Sequence, residues 1–249
     1  MTYRAMSAET VTLAGFNDDR IDAYRASPGD PGKRGGVVVI HHAPGWDDWT
    51  CEVVRKFAHN GYDAVAPHLY SRVELGPPDD MAARIRAMGG VSDAQAMGDI
   101  GAGADFLRSL PTSNGKVGCI GFCSGGRHAY LAAALVPGMD AAVDCWGGGV
   151  IVADPKHLSP ERPVAPIEYT AKIACPLLGI FGNEDRNPTV EQVNETEEAL
   201  KREGKAYEFH RYDGAGHGFF AVDRAGYRPE QAVDAWGKVF DFFGRHLSA

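Results

Sequence analysis

The chain lacks the features that mark several large classes of protein. Its five cysteines are scattered, form no C-x-x-C pair and are far too sparse for a disulfide scaffold. No apolar run approaches the ~18 residues that a membrane helix needs. The opening residues 1–7 lack the apolar core of a secretion signal. We therefore expect a protein of the reducing cytoplasm that has no membrane partner.

Positive charge is also scarce. The 249 residues contain 25 Lys and Arg against 33 Asp and Glu, for a formal net charge of -8, and no Lys/Arg-rich block occurs. Because nucleic-acid binding depends on a basic patch or stripe, we expect no nucleic-acid partner. The hydrophobic content of 44% is enough for one packed core in a chain of this length. We predict a single domain over residues 1–249, most simply a monomer.

Metal-ligand spacing is missing as well. His41, His42, His68 and Asp47 are close enough along the chain to suggest a metal site, but no H-E-x-x-H or comparable motif is present. We therefore predict no metal and no other cofactor.

The hydrophobic pattern alternates between strand-like and helix-like stretches. Two β-prone stretches, 10–16 and 22–26, flank a polar cluster and predict an antiparallel hairpin. The alternation that follows predicts an α/β fold, in which a mostly parallel sheet has helices on both faces. Residues 151–172 are Pro-rich and irregular. The further predicted strands are 36–41, 64–67, 117–120, 141–146, 176–182 and 207–212, and the predicted helices are 48–60, 79–88, 92–110, 127–135, 189–203 and 229–247.

One stretch places a reactive side chain at a sharp turn. Cys123 lies in Gly-Phe-Cys-Ser-Gly-Gly at 121–126, between a strand-like and a helix-like run. The pattern G-x-nucleophile-x-G is that of a nucleophile elbow, with Cys where Ser is more usual. Its glycines allow close backbone approach, and the helix N-terminus favours a thiolate and a developing oxyanion. A buried cysteine in an ordinary strand–turn–helix unit is the alternative.

Two later strand ends carry an acid and a base in the order that an elbow enzyme requires. Asp185 follows one predicted strand, and His217 lies among glycines after the last one. Because functional residues of open parallel sheets gather at the carboxyl ends of strands, we expect both to meet Cys123. Glu184 and Asp213 are the competing acids.

These pieces resemble the dienelactone hydrolase family, a branch of the α/β-hydrolases with a cysteine nucleophile. The resemblance extends from about Val37 to the last helix. It implies a single-domain α/β-hydrolase fold and cleavage of an ester or lactone through an acyl-enzyme. It also implies that Cys123 is the nucleophile, Asp185 the orienting acid, and His217 the base that takes the thiol proton and later activates water. The matching stretches are 121–126, 182–185 and 215–219, supported by 64–70 and 113–118.

The oxyanion hole and the pocket are further expectations. One N–H should come from Ser124, the residue after the nucleophile. The other should come from the loop after residue 41, where Pro44 has no N–H and Ala43 is the choice. Trp46 and Tyr70 could line an apolar acyl pocket or simply pack. The predicted pocket residues are His42, Trp46, Tyr70, Arg84, Arg86 and Phe219.

Two positions depart from the family pattern. The family has a Glu where this chain has His42, and we expect a His42 imidazolium beside Cys123 to lower the pKa of its thiol. The family also binds its substrate's carboxylate with arginines, but one of those positions is Ala221 here. Arg224 lies nearby, and Arg84 or Arg86 could match the other. Two alternatives therefore stay open, a general carboxylesterase or thioesterase and a non-catalytic, redox-sensing protein.

Overall fold

The structure is built on one eight-stranded sheet. The computed structural model describes residues 5–74 and 76–248. The strands, in chain order, are β1 (Met6–Ala14), β2 (Arg20–Pro28), β3 (Arg34–Ile40), β4 (Asp63–Pro67), β5 (Ser113–Phe122), β6 (Ala141–Cys145), β7 (Leu177–Gly182) and β8 (Tyr207–Tyr212). Their order across the sheet is β1-β2-β4-β3-β5-β6-β7-β8. All pairs from β4 to β8 run parallel, which confirms the predicted mostly parallel α/β fold.

The N-terminal hairpin forms the antiparallel edge of this sheet. Strands β1 and β2 pair over their full length, from Met6 opposite Pro28 to Ala14 opposite Arg20. Both strands are longer than the predicted 10–16 and 22–26, because backbone pairing continues where the side chains are polar and exposed. Phe16, predicted at the end of the first strand, begins the short 3-10 turn that joins the two. Strand β2 continues the sheet by pairing antiparallel with β4.

Helices cover both faces of the sheet and create two core layers. Buried residues of α3 and α4 pack in one layer with Val38, Val65 and Cys119. Buried residues of α1 and α6 pack in the other with Val37, Val39 and Val143. Strands buried on both faces need near-continuous apolar sequences, which β3 and β6 have. The helices are α1 (Asp48–His59), α2 (Pro78–Ala87), α3 (Asp93–Ser109), α4 (Ser124–Leu135), α5 (Val190–Arg202) and α6 (Pro229–Leu247).

Two element boundaries differ from the prediction in ways that matter for the site. Helix α4 begins at Ser124, immediately after Cys123, and not at residue 127. The Ser-Gly-Gly start has low helix propensity, but packing at this position overrides it. Strand β5 begins at Ser113, four residues before the predicted start. In residues 151–172 the structure has two short 3-10 turns, Pro155–His157 and Pro166–Lys172, in otherwise irregular chain.

The parallel strands bring four loops to one edge of the sheet. Carboxyl ends of parallel strands point the same way, so the loops after β3, β5, β7 and β8 meet there. These are the loops that carry the predicted nucleophile, acid, base and oxyanion residues. Across residues 5–74 and 76–248, none of the helices combines the length and the apolar character needed to cross a membrane.

Candidate active site

Cys123 occupies a strained turn between β5 and α4. Its backbone has φ 55° and ψ -118°, an unusual combination for a residue with a side chain, and one that costs about 1–3 kcal/mol. A Cβ on Gly121 would collide with the backbone carbonyl of Gly125, and a Cβ on Gly125 would collide with that of Ile40. These two glycines therefore allow the backbone to cross itself tightly enough to present Cys123 at the edge of the sheet.

Asp185 and His217 lie beside this turn, held by the loops after β7 and β8. Nδ1 of His217 is 2.8 Å from Oδ2 of Asp185, and the other carboxylate oxygen accepts the backbone N–H of Asn187 at 2.9 Å. Asp185 is buried, whereas the His217 ring is 39% exposed. Of the competing acids, Asp213 instead accepts a hydrogen bond from the Asn183 amide at 2.6 Å. The structure thus brings Asp185, and not Asp213, to His217.

The cysteine and histidine shift each other's protonation. Burial by itself raises the pKa of the Cys123 thiol, but hydrogen bonding and positive charge from His217 outweigh it, so that the pKa is lowered overall. Burial likewise lowers the pKa of His217, but hydrogen bonds to Asp185 and Cys123 and their negative charges raise it to about 10. Both shifts favour a thiolate–imidazolium pair, the form in which a cysteine is nucleophilic.

Two backbone N–H groups point at the sulfur. Hydrogen bonds from the N–H groups of Ser124 and Ala43 also lower the pKa of Cys123. Ser124 is the first residue of α4, so its N–H has no partner within the helix. An oxyanion formed on a carbonyl attacked by this sulfur would lie within reach of the same two donors.

The loop that carries Ala43 is anchored by His41 and Tyr70. The Tyr70 hydroxyl donates to the Ala43 carbonyl at 3.1 Å. Nε2 of His41 accepts the Leu69 N–H at 3.2 Å, which leaves Nδ1 to donate to the His42 carbonyl at 2.9 Å. Burial, the largest effect, lowers the pKa of His41 to about 3, so the ring stays neutral. This role of His41 has no sequence signal, because the Leu69 contact joins the loops after β3 and β4, which are distant along the chain.

Cys123 lies between two cavities of different size. The larger, of about 570 Å³, is lined by Ala43, Ser124, Arg86, Arg127 and Arg162 among others. The smaller, of about 130 Å³, includes His42, Trp49, Trp146 and His217 in its walls. A third cavity of about 220 Å³ shares Ala43, Ser124, Arg86 and Arg162 with the larger one and is closed by Tyr70 and His128.

Three predicted pocket residues do not line these cavities. Trp46 stacks on His68, with ring centroids 5.1 Å apart. Phe219 is fully buried in an aromatic cluster with Trp146, 5.2 Å between centroids. Arg84 pairs with Glu74 at 3.6 Å on the exposed side of α2. Tyr70, Arg86 and His42, by contrast, do line cavities next to Cys123.

His42 contacts an aspartate on the loop after β3. Its Nε2 is 2.6 Å from Oδ2 of Asp47, whose other oxygen accepts the backbone N–H and the hydroxyl of Thr50, each at 2.9 Å. Burial raises the pKa of Asp47, but hydrogen bonding to His42 and Thr50 and the His42 charge lower it to about 2. The groups that lower the pKa of Cys123 are His217, Ser124 and Ala43, and His42 is not one of them.

The larger cavity has a cluster of basic residues, of which Arg86 was predicted and Arg127 and Arg162 were not. Nε of Arg162 donates to the Val91 carbonyl at 3.1 Å, and within residues 5–74 and 76–248 neither Arg162 nor Arg86 forms an ion pair. Arg127, also at this cavity, is neutralised by Asp93. Arg162 lies in the irregular segment after β6, where no periodicity could have singled it out.

The residues considered as metal ligands are used in other ways. His41 bonds to the backbone, His42 to Asp47, and His68 stacks with Trp46. Over the part of the chain that the structure describes, no group of three or more His, Cys, Asp or Glu is arranged to hold a metal ion.

A cysteine elbow before a helix, at the carboxyl edge of a mostly parallel sheet with an antiparallel hairpin, defines an α/β-hydrolase fold. A family model described as the dienelactone hydrolase family matches residues 21–247. The chain belongs to the dienelactone hydrolase family and is a hydrolase. The family implies that its substrate is a small-molecule ester or lactone.

Individual relatives agree with this assignment. A protein provisionally named carboxymethylenebutenolidase from Synechocystis sp. is 34% identical, over 92% of this chain and 93% of its own length. A protein with the same provisional name from Methylorubrum extorquens is 33% identical, over 93% of this chain and 79% of its own length. The crystal structure of a provisionally named dienelactone hydrolase from Klebsiella pneumoniae superposes with a TM-score of 0.88 at 27% identity, covering 97% of this chain and 100% of that one.

Proposed function

We propose that this hydrolase cleaves a small ester or lactone through an acyl-enzyme on Cys123. The observation that carries the proposal is the opposed shift of two pKa values, with that of Cys123 lowered and that of His217 raised to about 10. Asp185 holds Nδ1 of His217, which leaves Nε2 for the sulfur and the substrate. A redox sensor would need a reactive thiolate but neither this acid–base pair nor aimed N–H donors, so the arrangement favours acyl transfer.

The first half of the reaction follows from these positions. The Cys123 thiolate attacks the carbonyl carbon, and the resulting oxyanion accepts hydrogen bonds from the N–H groups of Ser124 and Ala43. When the tetrahedral intermediate collapses, the carbon–oxygen bond to the leaving group breaks. The His217 imidazolium gives its proton to the departing oxygen. In the second half, water attacks the thioester carbon while a histidine at the site takes one of its protons. The carbon–sulfur bond breaks with its electron pair going to sulfur, which forms the thiolate and a carboxylic acid.

The larger cavity favours an acyl group that carries negative charge. Arg86 and Arg162 both line it, and neither forms an ion pair within the described residues. Burial lowers the pKa of Arg162, as does the nearby positive Arg127, and both effects would be relieved by an anion placed against the guanidinium. We propose that these two arginines bind a substrate carboxylate. Arg162 then takes the role of the family arginine whose position is occupied by Ala221 in this chain.

The test is turnover of a short p-nitrophenyl ester and an unsaturated lactone by site variants. Cys123→Ala is expected to abolish turnover with the fold intact, and Cys123→Ser to keep weak activity because His217 remains. Asp185→Asn is expected to lower kcat by about 10²–10⁴-fold, the range for a triad acid, whereas Glu184→Gln leaves kcat unchanged. Undiminished turnover by Cys123→Ala would exclude the acyl-enzyme.

A further inference from the structure

A second histidine–aspartate pair lies at a cavity that Cys123 lines. His42 and His217 both line this small cavity, and each has one ring nitrogen on a carboxylate. The His42–Asp47 distance of 2.6 Å is no longer than the His217–Asp185 distance of 2.8 Å. The two pairs come from different loops, one after β3 and the other after β7 and β8, so the cavity receives an imidazole from each of two separate parts of the chain.

The bond to Asp47 decides which nitrogen of His42 can accept a proton. Because the pKa of Asp47 is lowered to about 2, its carboxylate is ionised and can only accept, so Nε2 of His42 must donate. The neutral ring then carries its lone pair on Nδ1. Nδ1 of His42 makes no hydrogen bond to the described residues and is accessible to solvent. It differs in this from both ring nitrogens of His128, which are buried without a partner. His42 therefore presents an unused acceptor on a ring that lines the cavity.

The size of this cavity suits water better than an acyl group. Its volume of about 130 Å³ is much smaller than the 570 Å³ of the other cavity that Cys123 lines, where Arg86 and Arg162 lie. A water molecule has a share of about 30 Å³ in the liquid, so a few waters fit. An acyl group bound on the arginine side would leave its thioester carbon open to attack from the His42 side.

A second base is needed to activate water when the substrate is a lactone. When a lactone ring opens, the leaving oxygen stays attached to the acyl chain and has just received the His217 proton. The new hydroxyl remains beside His217 and occupies the place where water would have to be activated. A second base at the same cavity removes the conflict, because water can be deprotonated without first displacing the tethered hydroxyl.

We propose that His42 is the general base of deacylation, held in its acting tautomer by Asp47 as a positioning residue. The proposal rests on the acyl-enzyme proposed above. Nδ1 of His42 accepts one proton from water as its oxygen bonds to the thioester carbon. The carbon–sulfur bond then breaks with its electron pair going to sulfur, which restores the Cys123 thiolate and releases the carboxylic acid. His42 returns its proton to solvent.

The test separates acylation from deacylation in His42→Gln. With p-nitrophenyl acetate, the burst of p-nitrophenolate reports acylation, and the steady rate after it reports deacylation. With dihydrocoumarin, a lactone whose phenol stays tethered, intact-protein mass spectrometry reports the acylated fraction. The matched control is His68→Gln, which removes a buried imidazole that stacks with Trp46 and does not line the cavity.

The expected result is a selective loss of deacylation. In His42→Gln the burst rate stays within about twofold of wild type, while lactone turnover falls about 10²-fold and the Cys123 adduct accumulates, since general bases contribute about 10²–10⁴. The acyclic ester should lose less, because its alcohol leaves and frees His217. Asp47→Asn should reproduce the loss, and His68→Gln should not.

Other results overturn the proposal. Wild-type deacylation by His42→Gln, or equal slowing of acylation and deacylation, would show that His42 is not the base for water. Loss of turnover without an adduct would place its effect in acylation or folding and would also reject the proposal. Failure of the acyl-enzyme itself is distinguishable, because Cys123→Ala would then retain turnover.

Discussion

At the scale of single residues, the site depends on a pair of opposed pKa shifts. Burial works against both charges, raising the pKa of Cys123 and lowering that of His217, and the mutual attraction overcomes it. Asp185 adds to the effect on His217 through its hydrogen bond at 2.8 Å. The imidazolium is therefore retained through neutral pH and is lost only as pH rises through about 10.

Alkylation by iodoacetamide tests this pair directly. Because the thiolate is the reactive form, Cys123 should be labelled at neutral pH faster than an ordinary thiol, with a pH midpoint below the ordinary ~8.5. His217→Gln removes the group that lowers the pKa of Cys123 most, while burial and the weaker hydrogen bonds from Ser124 and Ala43 remain, so the midpoint should move upward. The rate is measured per site by peptide mass spectrometry.

Cys51 is an internal control in the same experiment. It is partly exposed, and burial, its largest effect, raises the pKa of its thiol. Its labelling should stay slow at neutral pH in both proteins. A Cys123 midpoint equal to that of Cys51, or indifferent to His217→Gln, would contradict the ion pair.

At the scale of elements, the elbow depends on backbone crossings that leave no room for a methyl group. Strand β5, the Cys123 turn and the start of α4 touch through Gly121 and Gly125, where an added Cβ would overlap backbone atoms. Backbone cannot move aside as a flexible side chain can. The shape of this one turn is therefore a property of three elements together, β3, β5 and α4.

Gly121→Ala should disrupt this turn. The expected result is a loss in unfolding free energy of more than about 3 kcal/mol, at or beyond the upper end for overpacking, with activity lost because Cys123 is displaced. Urea unfolding and ester turnover measure the two effects. A variant of unchanged stability and activity would show that the turn can relax without cost.

Gly237→Ala is the matched control for this substitution. Gly237 lies within α6, and a Cβ there would meet nothing within 4 Å. Replacing a helical glycine by alanine in open space should stabilise the protein by up to about 1 kcal/mol and leave turnover unchanged. The same chemical change should thus have opposite signs at the two sites.

At the scale of the whole molecule, two core layers support the sheet edge, and the layer of α1 and α6 also packs against Cys123. Phe243 of α6 is fully buried and packs on Gly118 of β5, three residues before Gly121, where the elbow begins. Its layer also contains Phe57 of α1, 5.7 Å away between ring centroids. Phe243 contacts β5 at Gly118, five residues before Cys123, so we expect it to contribute to stability and not to the reaction.

Phe243→Ala should separate stability from activity. Deleting a buried phenylalanine ring costs about 3–5 kcal/mol, through lost burial and the cavity left behind. The folded fraction should keep its kcat, because Cys123, His217 and Asp185 are untouched. Val233→Ala, at an exposed α6 position with 71% relative exposure, should change stability by less than about 0.5 kcal/mol. A large fall in the kcat of the folded fraction would show instead that this layer also positions the site residues.

Much of the architecture was predictable because each buried strand or helix has a characteristic pattern of apolar residues along its own stretch of sequence. Strands buried on both faces are mostly apolar, as in β3 and β6. Helix α1, which follows β3, begins after the capping Asp47 and ends shortly before Gly61. The chain order Cys123, Asp185, His217 also predicted which loops would meet, since carboxyl ends of parallel strands share an edge. What sequence could not give is the position of β2 beside β4, because strand order is decided by contacts between distant segments.

The sequence by itself determined the fold class, the elbow and the identity of the residues that meet there. Only the tertiary structure decided how they are paired. Trp46, Phe219 and Tyr70 are equally aromatic in sequence, but only Tyr70 lines a cavity, because which wall a ring joins depends on neighbouring loops. The His42–Asp47 contact and the position of Arg162 at the larger cavity also depend on how separate loops pack. Periodicity records burial along one element, whereas a cavity is formed between elements and leaves no pattern in any one of them.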